Sequence, residues 1–216
     1  AMNTAQVSKL TADQIAGAGL KLVVALTSSQ MAALTSDQLV ALSTTQSAAL
    51  SSAQIRGIHS NVIDAMELAD VAALNASSLA GLTTAQISKI TGDQIAEMSA
   101  KQVAALTTGQ VASLSSDQLK ALTTVQAAAL TSVQIQAIST ANVSELELDD
   151  LAALSASAVA ALTTSQVSAL SADQMAGAGL RFVVAMTTAQ VANMTSDQMA
   201  ALTTDQAALL SSAQIR

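Results

Sequence analysis

The side chains in this sequence that could carry chemistry are few and far apart. His59 is the sole imidazole, and cysteine, tryptophan, tyrosine and proline are absent. In covalent catalysis a lone histidine needs a nucleophile within hydrogen-bond reach to activate. Nothing near His59 reads as a nucleophile that it could serve, so a capping or solvent-facing role is expected for it. Two acidic groups, Asp64/Glu67/Asp70 and Glu145/Glu147/Asp149/Asp150, hold enough oxygens to suggest Ca²⁺, which takes six to eight oxygen ligands. Neither contains the spaced acidic loop with its central glycine, so caps and a solvated face are expected instead. Serine and threonine abound, but neither a nucleophile elbow nor a phosphate loop occurs among them. The AGAG runs at 16–19 and 176–179 are read as places of close packing or of a local change of path. Met175, Met186, Met194 and Met199 fall at apolar positions of the pattern described below and are read as core. The expected catalytic, cofactor and metal residues are therefore none.

Composition narrows the classes further. Eight basic against fifteen acidic residues give a net charge of −7, and charged residues make up 11% of the chain. Phosphate neutralisation needs clustered lysine and arginine, so a nucleic-acid partner is not expected. Half the residues are apolar, which excludes disorder driven by low hydrophobicity. The longest apolar run, AGAGLKLVVAL (16–26), is too short to span a bilayer and carries Lys21. No signal peptide is visible.

The elements that hold these residues follow from a strict octad. From Met2, every eighth residue to Leu210 is apolar, and the consensus is L-[ST]-x-x-Q-[VILM]-A-A with no insertion. We number its positions 0 to 7. One long helix is excluded, because eight residues turn about 800° and the apolar stripe would drift about 80° per octad. A β architecture fits the arithmetic but not the abundance of alanine, leucine and glutamine, or the scarcity of turn residues. The unit [ST]-x-x-Q is a capping box flanked by the two positions of a hydrophobic staple. Thr107 with Gln110, between Leu106 and Val111, shows the full pattern. Aspartate recurs at position 3, where the helix dipole favours an anion. Each octad therefore starts a new helix of under two turns, too short to be stable alone. Stacking must hold it, which is the logic of a solenoid.

The expected fold is all-α: a solenoid of very short capped helices, one per octad, with three or four per coil and two as the alternative. Positions 0 and 5 should form the core, and the alanines at 6 and 7 should let helices approach closely. Residues 1–216 are read as one continuous repeat domain, and the final partial octad suggests a segment of a longer array.

A longer period lies above the octad. SSAQIR (51–56) recurs at 211–216, and Lys21, Lys101 and Arg181 are spaced by 80, as are Asp13, Asp93 and Asp173. Ten octads do not divide into coils of three or four, so this period is read as duplication history. The segments 58–81 and 138–161 lose the glutamine. There the capping box is expected to shift to Asp64-x-x-Glu67 and Ser144-x-x-Glu147, with a longer helix through 71–74 or 151–154.

Rows such as MTTAQVANM (186–194) and MTSDQMAAL (194–202) resemble octad arrays in very large, acidic, repetitive proteins of proteobacteria. The resemblance covers the whole chain, and it implies a secreted or cell-surface spacer, adhesin stalk or matrix component. The expectation is a non-enzymatic, rod-like structural module whose partners are neighbouring repeats or a protein or surface, without a membrane span. The alternative is a partner-binding solenoid, such as a translocated effector. A binding solenoid should carry clustered aromatic or arginine anchors, and positions 2, 3 and 6 here are mostly Ala, Ser, Thr and Asp. The threonine pairs at 107–108, 123–124, 163–164, 187–188 and 203–204 raise a third reading, an ice- or lattice-binding face.

Overall fold

The computed structural model describes residues 2–215. Among them every regular element is a helix, from Thr4–Val7 to Ser212–Ile215, and each has between three and seven residues. A single octad makes each helix. Thr107 is extended at φ −72°, ψ 158°, its hydroxyl accepts from the Gln110 amide, and the helix Thr108–Ala112 follows. Before the next cap, position 0 leaves the helical region. Leu130 stands at φ −59°, ψ 127° and Thr131 at φ −78°, ψ 161°. The corner is thus two extended residues, both at negative φ. This explains how a chain without proline and with few glycines turns so often: among the described residues only Gly179, at φ +80°, is left-handed.

The chain divides into two compact units, residues 1–113 and 114–216. In the first, Thr4–Val7 packs on Ser28–Met31, Ala12–Ala16 on Ser36–Val40, Leu20–Ala25 on Thr44–Ala48, and Ser28–Met31 on Ser52–Gly57. In the second, Thr124–Ala129 packs on Leu148–Ala153, Ser132–Ala137 on Ala156–Ala161, and Ala172–Gly177 on Ser196–Ala201. In both units the stacking partner lies three octads on, so each unit is a solenoid with three helices and 24 residues per coil. This selects three from the expected three or four, and it excludes the two-helix hairpin array.

The core holds the expected positions. Val7, Ile15, Met31, Leu39, Ile55 and Ile87 at position 5 are at most 1% exposed, and Leu34, Leu50 and Leu82 at position 0 are buried with them. Of the four methionines, Met175 and Met186 are buried. Met194 is half-buried and Met199 is exposed, because among the described residues no further coil covers theirs.

Position 7 governs how closely coils approach. A Cβ on Gly57 would run into the backbone of Ser28, and one on Gly81 would lie 2.7 Å from the carbonyl oxygen of Ser52. A Cβ on Gly109, at position 3, would meet nothing within 4 Å. Gly57→Ala is therefore expected to lower stability by about 1–3 kcal/mol through overpacking. Gly109→Ala should raise it by about 0.5–1 kcal/mol, since alanine is the better helix former. Urea denaturation of the two variants reads both signs, and equal effects would contradict the packing at position 7.

Two local expectations fail. Glu67 and Glu147 are not the third helical residue of a shifted box; each is itself the extended N-cap, without a side-chain cap bond, of Leu68–Ala73 or Leu148–Ala153. Asp64 lies in the 3₁₀ turn Ile63–Ala65, and Ser144 is the C-cap of Thr140–Val143. The longer helices do not form either, because Leu74 and Leu154 leave the helical region as corner residues. Packing at positions 0 and 5 fixes the register, and one local capping option is too weak to move it.

Candidate functional site: the buried register at position 4

Sequence reasoning assigned the glutamine at position 4 to capping, and that is half of its task. Its Oε1 accepts the N–H of its own N-cap residue, as Gln38 does from Thr35 at 3.0 Å. Its Nε2 turns inward and donates to the coil before, to Val7 O at 2.9 Å and Leu10 O at 2.7 Å. Gln46 bonds Ile15 and Ala18 in the same way, Gln54 bonds Val23 and Leu26, and Gln110 bonds Leu79 and Leu82. In the second unit Gln166 reaches Ile135 and Ile138, Gln190 reaches Val159 and Leu162, and Gln198 reaches Val167 and Leu170. The acceptors lie 31 and 28 residues earlier. They are the carbonyls of positions 5 and 0, at the end of a short helix that has few partners to offer them. One side chain therefore caps the start of its own helix and closes the end of another. Buried backbone groups must be paired, and these glutamines are themselves buried, Gln86, Gln126 and Gln166 to 1% exposure. The signal was in the sequence: an amide that only capped an exposed helix end could be replaced by glutamate, yet glutamate never stands at position 4.

The exceptions at position 4 are informative. Asn142 keeps a donor to the carbonyl 28 residues earlier, with Nδ2 3.1 Å from Leu114 O, and the Ser78 hydroxyl donates likewise to Leu50 O. Phe182 is buried at 2% exposure and replaces the amide with apolar bulk. Asp70 and Asp150 occupy the same register, at 1% and 2% exposure, and in each the Oδ2 atom has no hydrogen-bond partner. Burial first, and then the charge of Glu67, raises the Asp70 carboxyl to about 6; the nearby Ser47 hydroxyl pulls the other way. Ser47 Oγ itself forms no bond of acceptable geometry, so it is a neighbour rather than a partner. Asp150 is likewise raised to about 6 by burial, then by Glu147 and Asp149. The expectation of a solvated acidic face fails for these two residues, because position 4 points inward whatever occupies it.

The other candidates scatter. His59 is exposed, and its Nδ1 accepts the Asn61 N–H at 3.3 Å, a weak cap followed only by the 3₁₀ turn. At the position 80 residues on, Ser139 caps Asn142 and a regular helix forms. Asp64, Glu67, Glu147 and Asp149 are exposed, and Glu145 pairs with Lys120 at 2.7 Å. Among the described residues no three acidic or imidazole groups come together as a metal would need. In the second unit the threonine pairs at 163–164 and 187–188 stand one coil apart, whereas 123–124 and 203–204 fall on the other two sides of the coil. The AGAG runs differ from each other: Gly19 is extended at φ −64°, while Gly179 opens Gly179–Ala185 in the left-handed region. The open groove beside Ser28, Ser52 and Arg56 lies between stacked helices, and there Arg56 Nε donates to Gly81 O at 3.2 Å. Among the described residues no helix is long and apolar enough to cross a membrane.

Short capped helices, three to a coil, stitched by an inward glutamine, define an octapeptide-repeat α-solenoid. The chain belongs to the ALTTAQ repeat family, whose profile matches residues 63–100, 103–140, 143–177 and 183–212, about two thirds of it. Successive matches start 40 residues apart. That is five octads, half of the 80-residue duplication and not a whole number of coils. No curated protein matches the chain.

Proposed function

We propose that this repeat module is a spacer or stalk, residues 1–216 forming one continuous array within a secreted or surface-exposed bacterial protein, and that it performs no catalysis. The observation that carries the reading is the fate of its polar side chains. The threonines and serines at position 1 and the glutamines at position 4 bind backbone at helix ends. Outward positions are small and sparsely charged, which suits a surface that sets distance and avoids non-specific contacts. Such a module works by length: each added 24-residue coil extends it by one helix spacing of about 8–10 Å.

Small-angle scattering on arrays with three or six octads inserted tests the geometry. The maximum dimension should grow in equal steps of that size, and unchanged dimensions would sink the spacer reading. Antibody labelling of intact cells making the gene product that carries the array should give surface signal; signal only after lysis would overturn the localisation.

One observation favours the second reading, a partner-binding solenoid. Leu68 and Leu148, equivalent in the 80-residue duplication, are each 42% exposed at position 2. Leu20 with Val24, and Leu180 with Val184, form exposed apolar pairs on single helices. A protein partner would use such pairs, and their replacement by serine would abolish its binding while leaving the scattering steps intact.

A further inference from the structure

Every other polar residue that the described structure buries at position 4 can donate a proton; only Asp70 and Asp150 have a side chain that donates in one protonation state and not in the other. Glutamine, Asn142 and Ser78 donate to a carbonyl 28 residues earlier. By that register the acceptors facing Asp70 are the carbonyls of Leu42 and Leu39, and those facing Asp150 are the carbonyls of Leu122 and Leu119. A carboxylate set against carbonyl oxygens is doubly unfavourable, since the charge is desolvated and the dipoles point their negative ends at it. A carboxylic acid in the same place supplies the missing donor.

We propose that Asp70 and Asp150 are proton-operated latches, each closing its coil when the carboxyl is protonated and loosening it when the carboxyl ionises. The structure supplies no countercharge that would hold either group ionised. On its own helix Asp70 has Glu67 as N-cap. Thr44–Ala48, packed against it, carries no titratable residue, and Gly92–Ala96 carries Asp93. Asp150 has Glu147 and Asp149 on its own helix. Thr124–Ala129 carries no titratable group, Ala172–Gly177 carries Asp173, and Gly179–Ala185 carries Arg181, whose side chain is exposed. The unbonded Oδ2 atoms fit the same picture. So does the direction of both pKa values, raised from 3.8 to about 6. A folded-state value above the unfolded one means that the stabilisation is complete below about 3.8 and is lost as pH rises through about 6. An array with this pair would be tightest in mildly acidic surroundings and looser at neutral pH, whatever its role as a spacer.

The experiment compares thermal unfolding of the wild-type chain with Asp70→Asn/Asp150→Asn between pH 4.5 and 8. Asparagine keeps the shape and donates at every pH. The wild-type Tm should fall on the order of 10 °C more than that of the variant as pH rises from 5 to 7.5. Parallel curves would overturn the proposal. Carbon-detected NMR of the wild-type side-chain carboxyls provides a readout that does not depend on the variant folding. Midpoints near 6 for two aspartates support the latch, and midpoints near 4 for all of them refute it. Addition of Ca²⁺ at pH 7.5 separates the latch from a cation site. No change in Tm fits the latch, and a rise that the asparagine variant lacks would replace the proton with a metal.

Discussion

Replacing Gln110 with alanine is expected to destabilise the chain by about 3–5 kcal/mol, several times the effect of removing the threonine that it serves. Thr107→Ala deletes one accepting hydroxyl at an exposed N-cap, a change that costs about 1 kcal/mol. Gln110→Ala deletes three bonds. The Thr107 N–H loses its acceptor, which stands at 2.7 Å. The carbonyls of Leu79 and Leu82, which accept at 2.8 and 2.7 Å from inside the coil, lose this donor. A buried carbonyl left unpaired costs about 1–3 kcal/mol, and Leu82 O is left so, whereas Leu79 O keeps the Leu82 N–H at 3.0 Å. The amide also fills space, since Gln110 is 2% exposed, so a cavity term adds to the loss. Gln110→Met, which keeps the volume and drops the bonds, should recover only part of it. Urea denaturation of the three variants decides the matter. Equal losses for Thr107→Ala and Gln110→Ala would mean that the inward bonds contribute nothing and that glutamine is only a cap.

Phe182→Ala should cost about 3–5 kcal/mol as well, for a different reason. Phe182 is the sole aromatic and stands where the pattern places glutamine, at 2% exposure. Its helix, Gly179–Ala185, begins at a left-handed glycine and packs on both Ala156–Ala161 and Leu148–Ala153. The ring fills what the altered path leaves open, and truncation leaves a cavity there. Phe182→Gln should cost clearly less than Phe182→Ala, because its amide has the length to reach the Leu151 and Leu154 carbonyls that the register provides. Calorimetry on both variants reads the order. If glutamine proved as damaging as alanine, the register would not extend through this octad, and the left-handed Gly179 would mark a break in it.

Much of the fold was legible because the octad repeats a local instruction. Leu106, Thr107, Gln110 and Val111 specify a cap, a staple and a short helix through bonds no more than three residues long. Such instructions act within one helix, so reading them needs no knowledge of what packs where. Positions 0 and 5 were legible as core for the same reason, since their spacing puts them on one face of any helix started at that cap. The reading failed where local chemistry offered a second choice. Asp64 with Glu67 matched the capping rule but lost to the packing of Ile63, Met66 and Val71, all buried in the octad register. Asp70 and Asp150 read as surface charges because aspartate is usually at the surface; only their place in the eightfold count would have turned them inward.

The sequence by itself determined the unit: one helix per eight residues, which face is apolar and, outside the segments 58–81 and 138–161, where each helix starts and how short it is. Those properties depend on neighbours within one octad, and the octad states them over and over. The tertiary structure decided the number of helices per coil and the second task of glutamine. Both are relations between residues 24 to 31 apart, set by the two-residue corner whose extended angles turn each helix against the last. No local rule fixes that angle to within the tolerance that separates three helices per coil from four. Once it is fixed, the amide of position 4 comes to lie against the carbonyls of the coil before it, and with it the two carboxyls that take its place at Asp70 and Asp150.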